Sequence, residues 1–137
     1  RAIRADSKQP IFVWNLHKIY EEMGERGRLR NEYKSFLNND SRQLAWVYGK
    51  TLVRVIRQKA FREYSKGYID NAILGFEDML KIYQEIGDVT GQVPAFFSLG
   101  LLYEEKGNTQ KAQDFFSRVL AINPNHIQAR EKVKTVN

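Results

Sequence analysis

The sequence predicts an all-α fold, a solenoid of stacked helix-turn-helix repeats, and three observations carry that prediction. The 137-residue chain has the composition of a packed protein, 42% apolar and 12% aromatic with three prolines and nine glycines. Residues 95–125, "AFFSLGLLYEEKGNTQKAQDFFSRVLAINPN", read as two amphipathic helices that meet at a glycine. The residues defining that pair then recur at fixed offsets toward the N-terminus.

In the first helix of the pair Phe96, Leu99, Gly100 and Tyr103 recur at i, i+3, i+4 and i+7, one stripe of a 3.6-residue helix. Gly107 ends it, because glycine takes the left-handed conformation just past a helix terminus at least cost. Asn108 or Thr109 can cap the second helix, whose apolar stripe is Ala112, Phe115, Phe116, Val119 and Leu120. Pro124 closes it by disfavouring helical geometry at Asn123.

A shift of 40 residues carries Gly107 to Gly67, Ala112 to Ala72, Phe116 to Phe76 and Leu120 to Leu80. A further shift of 43 reaches Gly24, Leu29, Tyr33 and Leu37, with Leu16 and Tyr20 standing where Leu99 and Tyr103 stand. One more step of 34 brings Phe36 and Leu37 onto Ala2 and Ile3, so the opening "RAIRADSKQP" aligns with "RVLAINPNHI". That alignment predicts the last turn of a helix at Ala2 and Ile3, a turn at Asp6 and Ser7, and a new hairpin starting at Pro10. Between Leu37 and Leu52, Asp40 or Ser41 can cap a long helix from about Arg42 to Tyr64, with Leu44, Val47, Tyr48, Leu52, Val55 and Ile56 inward. A helix ending near Ile86 and a glycine-punctuated loop are expected before Val93.

With these residues the chain resembles the tetratricopeptide repeat, a helical hairpin of about 34 residues that stacks into a right-handed superhelix. Phe96, Leu99, Gly100, Tyr103, Gly107, Ala112, Phe116 and Pro124 occupy its signature positions in order. The earlier units depart from it: Lys59 and Glu63 fill slots usually held by leucine and tyrosine, and His17 and Leu29 fill slots of small residues. The first of these departures predicts a shifted first helix in the middle repeat, and the second a splayed first hairpin. The resulting division is a single domain, 1–137, with the end of a preceding repeat at 1–9, repeats at 10–43, 44–88 and 93–126, and a terminal helix at 127–137. Begun and ended mid-repeat, the chain reads as a piece of a longer array.

The chemistry-bearing inventory is sparse. With no cysteine and only His17 and His126, far apart in sequence, no metal site, cofactor or catalytic constellation is expected, and the chain reads as no enzyme. His17 lies in a helix-packing slot and reads as structural. "GKT" at 49–51 lacks the first glycine of a phosphate-binding loop, since Leu44 stands there. The pairs Glu21–Glu22 and Glu104–Glu105 read as solvated faces. Absence of cysteine suits a cytoplasm and a bacterial periplasm equally, so no compartment is assigned. Charged residues recur too often for the roughly 20 apolar residues of a membrane span, so no membrane insertion is expected.

The net charge of +6 and the stretch "VRVIRQKAFREYSK" raise nucleic acid as a partner, with Arg54, Arg57, Lys59, Arg62 and Lys66 interleaved with Phe61 and Tyr64. The same spacing is that of one solvated helix face, and nucleic acid is the disfavoured reading. The resemblance implies a different site, because in such arrays the first helix of each repeat lines a concave groove. Carried over slot by slot, the groove residues are Trp14 and Lys18, with Ile11; Arg54, Arg57, Phe61 and Tyr64; and Phe97 and Leu101, with Glu104. Aromatic residues flanked by arginines suit a protein or peptide partner with apolar anchors and some acidic character. Some family members clamp a chaperone's terminal carboxylate through polar residues at slots that are here Trp14, Gln58, Pro94 and Ser98, so that clamp is not expected. The competing expectation is a structural role, with self-association through truncated repeat edges.

Overall fold

The computed structural model describes residues 2–134, with side chains from Pro10 onward, and every regular element among them is helical. The order is α1 (Ala2–Glu22), α2 (Arg28–Asn38), α3 (Arg42–Ser65), α4 (Ile69–Ile86), α5 (Val89–Glu105), α6 (Thr109–Ile122) and α7 (Ile127–Lys134). The chain divides into two compact units, Arg1–Val55 and Ile56–Asn137, so α3 contributes its first half to one and its second half to the other.

In the first unit the inward stripe of α1 is Val13 and Tyr20, both buried, and α2 buries Leu29 and Tyr33. The Tyr20 hydroxyl donates to Glu32 Oε2 at 2.8 Å, and the Arg28 guanidinium lies 4.5 Å over the Tyr20 ring. Burial, reinforced by that hydrogen bond, pushes the Tyr20 phenol up to about 12. α1 and α2 touch only sparsely, whereas α5 and α6 pack closely along their length. The difference goes with the small-residue slots, where Leu29 of α2 stands in place of Ala112 of α6. Gly100 in α5 leaves its Cβ position to the ring of Phe116, while His17 fills the corresponding place in α1. The Ser41 carbonyl opens α3 by accepting from the Ala45 N–H at 2.9 Å, and Val47, Tyr48 and Leu52 are buried as their spacing predicts. "GKT" lies inside this helix, with Thr51 buried.

In the second unit α4 packs on α5, α5 on α6 and α6 on α7, the neighbour-on-neighbour packing of a helical repeat stack. Ala60 of α3 is buried against Gly75 of α4, where an added Cβ would sit 2.9 Å from the Ala60 methyl. Gly107, at φ 87°, ends the α5 segment, and the Asn108 side chain accepts from the Lys111 N–H at 3.1 Å to open α6. Ala112, Phe116 and Val119 are buried, and Phe115 and Leu120 are half-buried beside them. His126 opens α7, its Nδ1 accepting from the Ala129 N–H at 3.1 Å. Of the terminal helix expected over 127–137, residues 135–137 lie outside the described residues.

Two local expectations are corrected. No turn forms at Asp6 and Ser7, because α1 runs unbroken from Ala2 through Pro10. Most helices of the chain stop where a glycine, or Asp40 at φ 58°, takes a positive φ, and α6 stops just before Pro124; residues 4–9 contain no glycine, and Pro10 lies inside α1 without ending it. The loop expected after Ile86 shrinks to Gly87 and Asp88. Asp88 Oδ1 accepts from the Gly91 N–H at 3.0 Å, which draws Gly91 into the first turn of α5, under the ring of Tyr83.

Candidate functional site

On α5, residues 98, 101, 102 and 105 share one face by their i, i+3, i+4 and i+7 spacing. That face meets Phe61 and Tyr64 of α3 and Phe76 of α4 around an open pocket of about 220 Å³ lined by these three and by Ser98, Leu101, Leu102 and Glu105. Phe76 and Leu102 are buried and form its floor, and the Phe76 ring meets Phe61 edge-on at 5.8 Å. The walls are apolar and open to solvent: Phe61 is 53%, Tyr64 42% and Leu101 38% exposed. At the lip, the Tyr64 hydroxyl donates to Glu105 Oε1 at 2.9 Å, fixing the carboxylate and pushing the Tyr64 phenol above its ordinary range.

The volume decides what such a pocket can take. Sites for drug-sized molecules run to roughly 300–1,000 Å³, so a cavity of about 220 Å³ accommodates one side chain.

Phe61, Tyr64 and Leu101, expected in a groove, do come together here. Arg57 does not join them, since its guanidinium donates to the Tyr83 hydroxyl at 2.8 Å. Phe97 is half-buried in the packing of α6 and α7, its ring 5.5 Å from Phe116 and 5.0 Å from His126. Trp14, Lys18 and Arg54 belong to the first unit, where the Arg54 guanidinium stacks 3.7 Å over the Trp14 ring and Lys18 Nζ lies 5.8 Å from it. His17 stands beside the same ring, at 5.4 Å. Of the expected acids, Glu104 pairs with Lys132 at 2.8 Å, and Glu105, read from sequence as solvated, is the one at the pocket.

Sequence reasoning missed Phe76, Ser98, Leu102 and Glu105 as lining residues. The signal for three of them was present in the face that they share with Leu101 on α5.

Residues 93–126 match the family model of the tetratricopeptide repeat. They form a tetratricopeptide repeat. Four of the seven lining residues, Ser98, Leu101, Leu102 and Glu105, lie in its first helix. The tetratricopeptide family is typically non-catalytic and serves protein–protein interaction or scaffolding. No curated protein matches the chain. Among the described residues no group of acids and histidines could hold a metal ion, and no helix is long and apolar enough to cross a membrane.

Proposed function

We propose that the chain is a non-catalytic interaction module whose second unit captures a partner protein or peptide by burying one of its apolar side chains between Phe61, Phe76 and Leu101. A single observation carries this reading: Phe61, Tyr64 and Leu101, large side chains with apolar faces that solvent disfavours, stand open around a cavity floored by Phe76 and Leu102. Filling it removes one apolar anchor from water, worth about 1.5–3 kcal/mol, the scale of an interface hot spot.

The test is selection of random displayed peptides on the folded protein, followed by affinity measurement against Leu101→Ser. Leu101 is exposed enough for the variant to fold, which circular dichroism checks. Loss of at least tenfold in affinity is expected, and unchanged binding of every selected peptide refutes the reading.

A second reading, assembly with other copies or repeats, is favoured by α1. Phe12 and Ile19 are 62% and 49% exposed and, at i and i+7, stand on one face of the helix. Sedimentation across a concentration series separates it from the first, because a module that acts only through the pocket stays monomeric.

A further inference from the structure

Resting on the pocket reading above, the geometry points to a specific partner chemistry: we infer that the pocket takes the aliphatic stem of a lysine or arginine from the partner, with the cationic head against Glu105. The apolar anchor proposed above is then the stem of a basic side chain. The arginines near the aromatic residues had suggested a partner of the opposite charge.

Charge at the pocket is the first ground. Its lining holds one ionisable carboxylate, Glu105, and no cationic residue, in a chain of net charge +6. Two basic residues near it in sequence are engaged elsewhere, Arg57 with the Tyr83 hydroxyl and Lys106 with Asp70 Oδ1 at 2.6 Å. Glu105 is also held in place. Its Oε1 accepts from the Tyr64 hydroxyl, and among the described residues Oε2 has no partner, which leaves one acceptor oxygen presented at the lip.

Shape is the second ground. A cavity with room for one side chain, an apolar floor of Phe76 and Leu102, and a carboxylate only at the rim matches a side chain that is apolar along its length and charged at its tip. The rings of Phe61 and Tyr64 on the wall add a face on which a guanidinium or ammonium is favoured over a carboxylate. An acidic partner residue would meet Glu105 as a like charge in a site with no cation to offset it.

The experiment uses the same random displayed peptides, sorted by composition and measured against three variants. Peptides whose binding is lost in Leu101→Ser should be enriched in lysine or arginine, and Glu105→Gln, which can still accept from Tyr64 through its amide oxygen, should weaken them about five- to tenfold. Glu105→Lys should abolish their binding and select peptides enriched in aspartate or glutamate. If pocket-dependent peptides carry no basic residue and Glu105→Gln binds them unchanged, the cationic partner is refuted while the pocket reading stands. If no selected peptide depends on Leu101, both fall.

Discussion

Gly100→Ala tests the packing on which the repeat and its pocket depend. A Cβ at residue 100 would lie 2.5, 2.7 and 2.9 Å from three ring atoms of Phe116. Phe116 is completely buried and its ring also rests on Phe97, so it has nowhere to retreat without opening the α5–α6 contact. Helix propensity pulls the other way, since alanine is favoured over glycine in a helix interior by about 1 kcal/mol. Overpacking a closed core costs about 1–3 kcal/mol, and three contacts under 3.0 Å place this site in the upper half of that range. The net expectation is a loss of about 1–2 kcal/mol, or roughly 3–8 °C in Tm for a chain of this size. Urea denaturation followed by far-ultraviolet circular dichroism reads it out. A second variant isolates the cause: in Phe116→Leu, which removes the ring, the same Gly100→Ala change should be neutral or stabilising, giving a coupling above about 1 kcal/mol. Equal or greater stability of Gly100→Ala alone would refute the close-approach reasoning and show that helix propensity outweighs the clash.

Asn108→Ala removes the side chain that accepts from Lys111 N–H and should cost about 1 kcal/mol, measured in the same urea titration. Tyr20 should ionise near 12, above the ordinary tyrosine range, and Tyr20→Phe should delete that step from a tyrosinate absorbance titration. Because the folded state raises this group from 10.0 to about 12, its contribution to stability is complete below pH 10 and is lost as pH rises from 10 to 12. Wild-type stability should therefore fall more steeply than that of Tyr20→Phe across that window. Lys106→Met breaks an ion pair exposed to solvent and should leave the midpoint of the urea titration unchanged. If α1 mediates assembly, Phe12→Ser with Ile19→Ser should abolish any concentration dependence in sedimentation and leave peptide binding at the pocket intact.

Local chemistry made most of the second unit legible. Gly107 and Asn108 sit where one residue's backbone freedom and the next one's side-chain acceptor decide the turn, and α3 followed from its inward stripe between Leu44 and Ile56. The Asp6–Ser7 turn rested on alignment alone, with no residue there whose conformation requires a break, and the helix passes through it. The site was legible only in part. Its slots identify which face of a helix a side chain leaves, and this sufficed for Phe61, Tyr64 and Leu101. Where a long side chain ends depends on partners remote in sequence: Tyr83 takes Arg57, and His126, folding back at the start of α7, takes Phe97. Glu105 differs from Glu104 by one helical position, which sends one carboxylate to Tyr64 and the other to Lys132.

Binding at the pocket is tested most directly by methyl and aromatic NMR of the whole chain during titration with a selected peptide. Shift changes should be largest at the Leu101 and Leu102 methyls and at the Phe61 and Phe76 rings, and should vanish in Leu101→Ser. Changes confined to Phe12 and Ile19 of α1, with the pocket resonances unmoved, would contradict it.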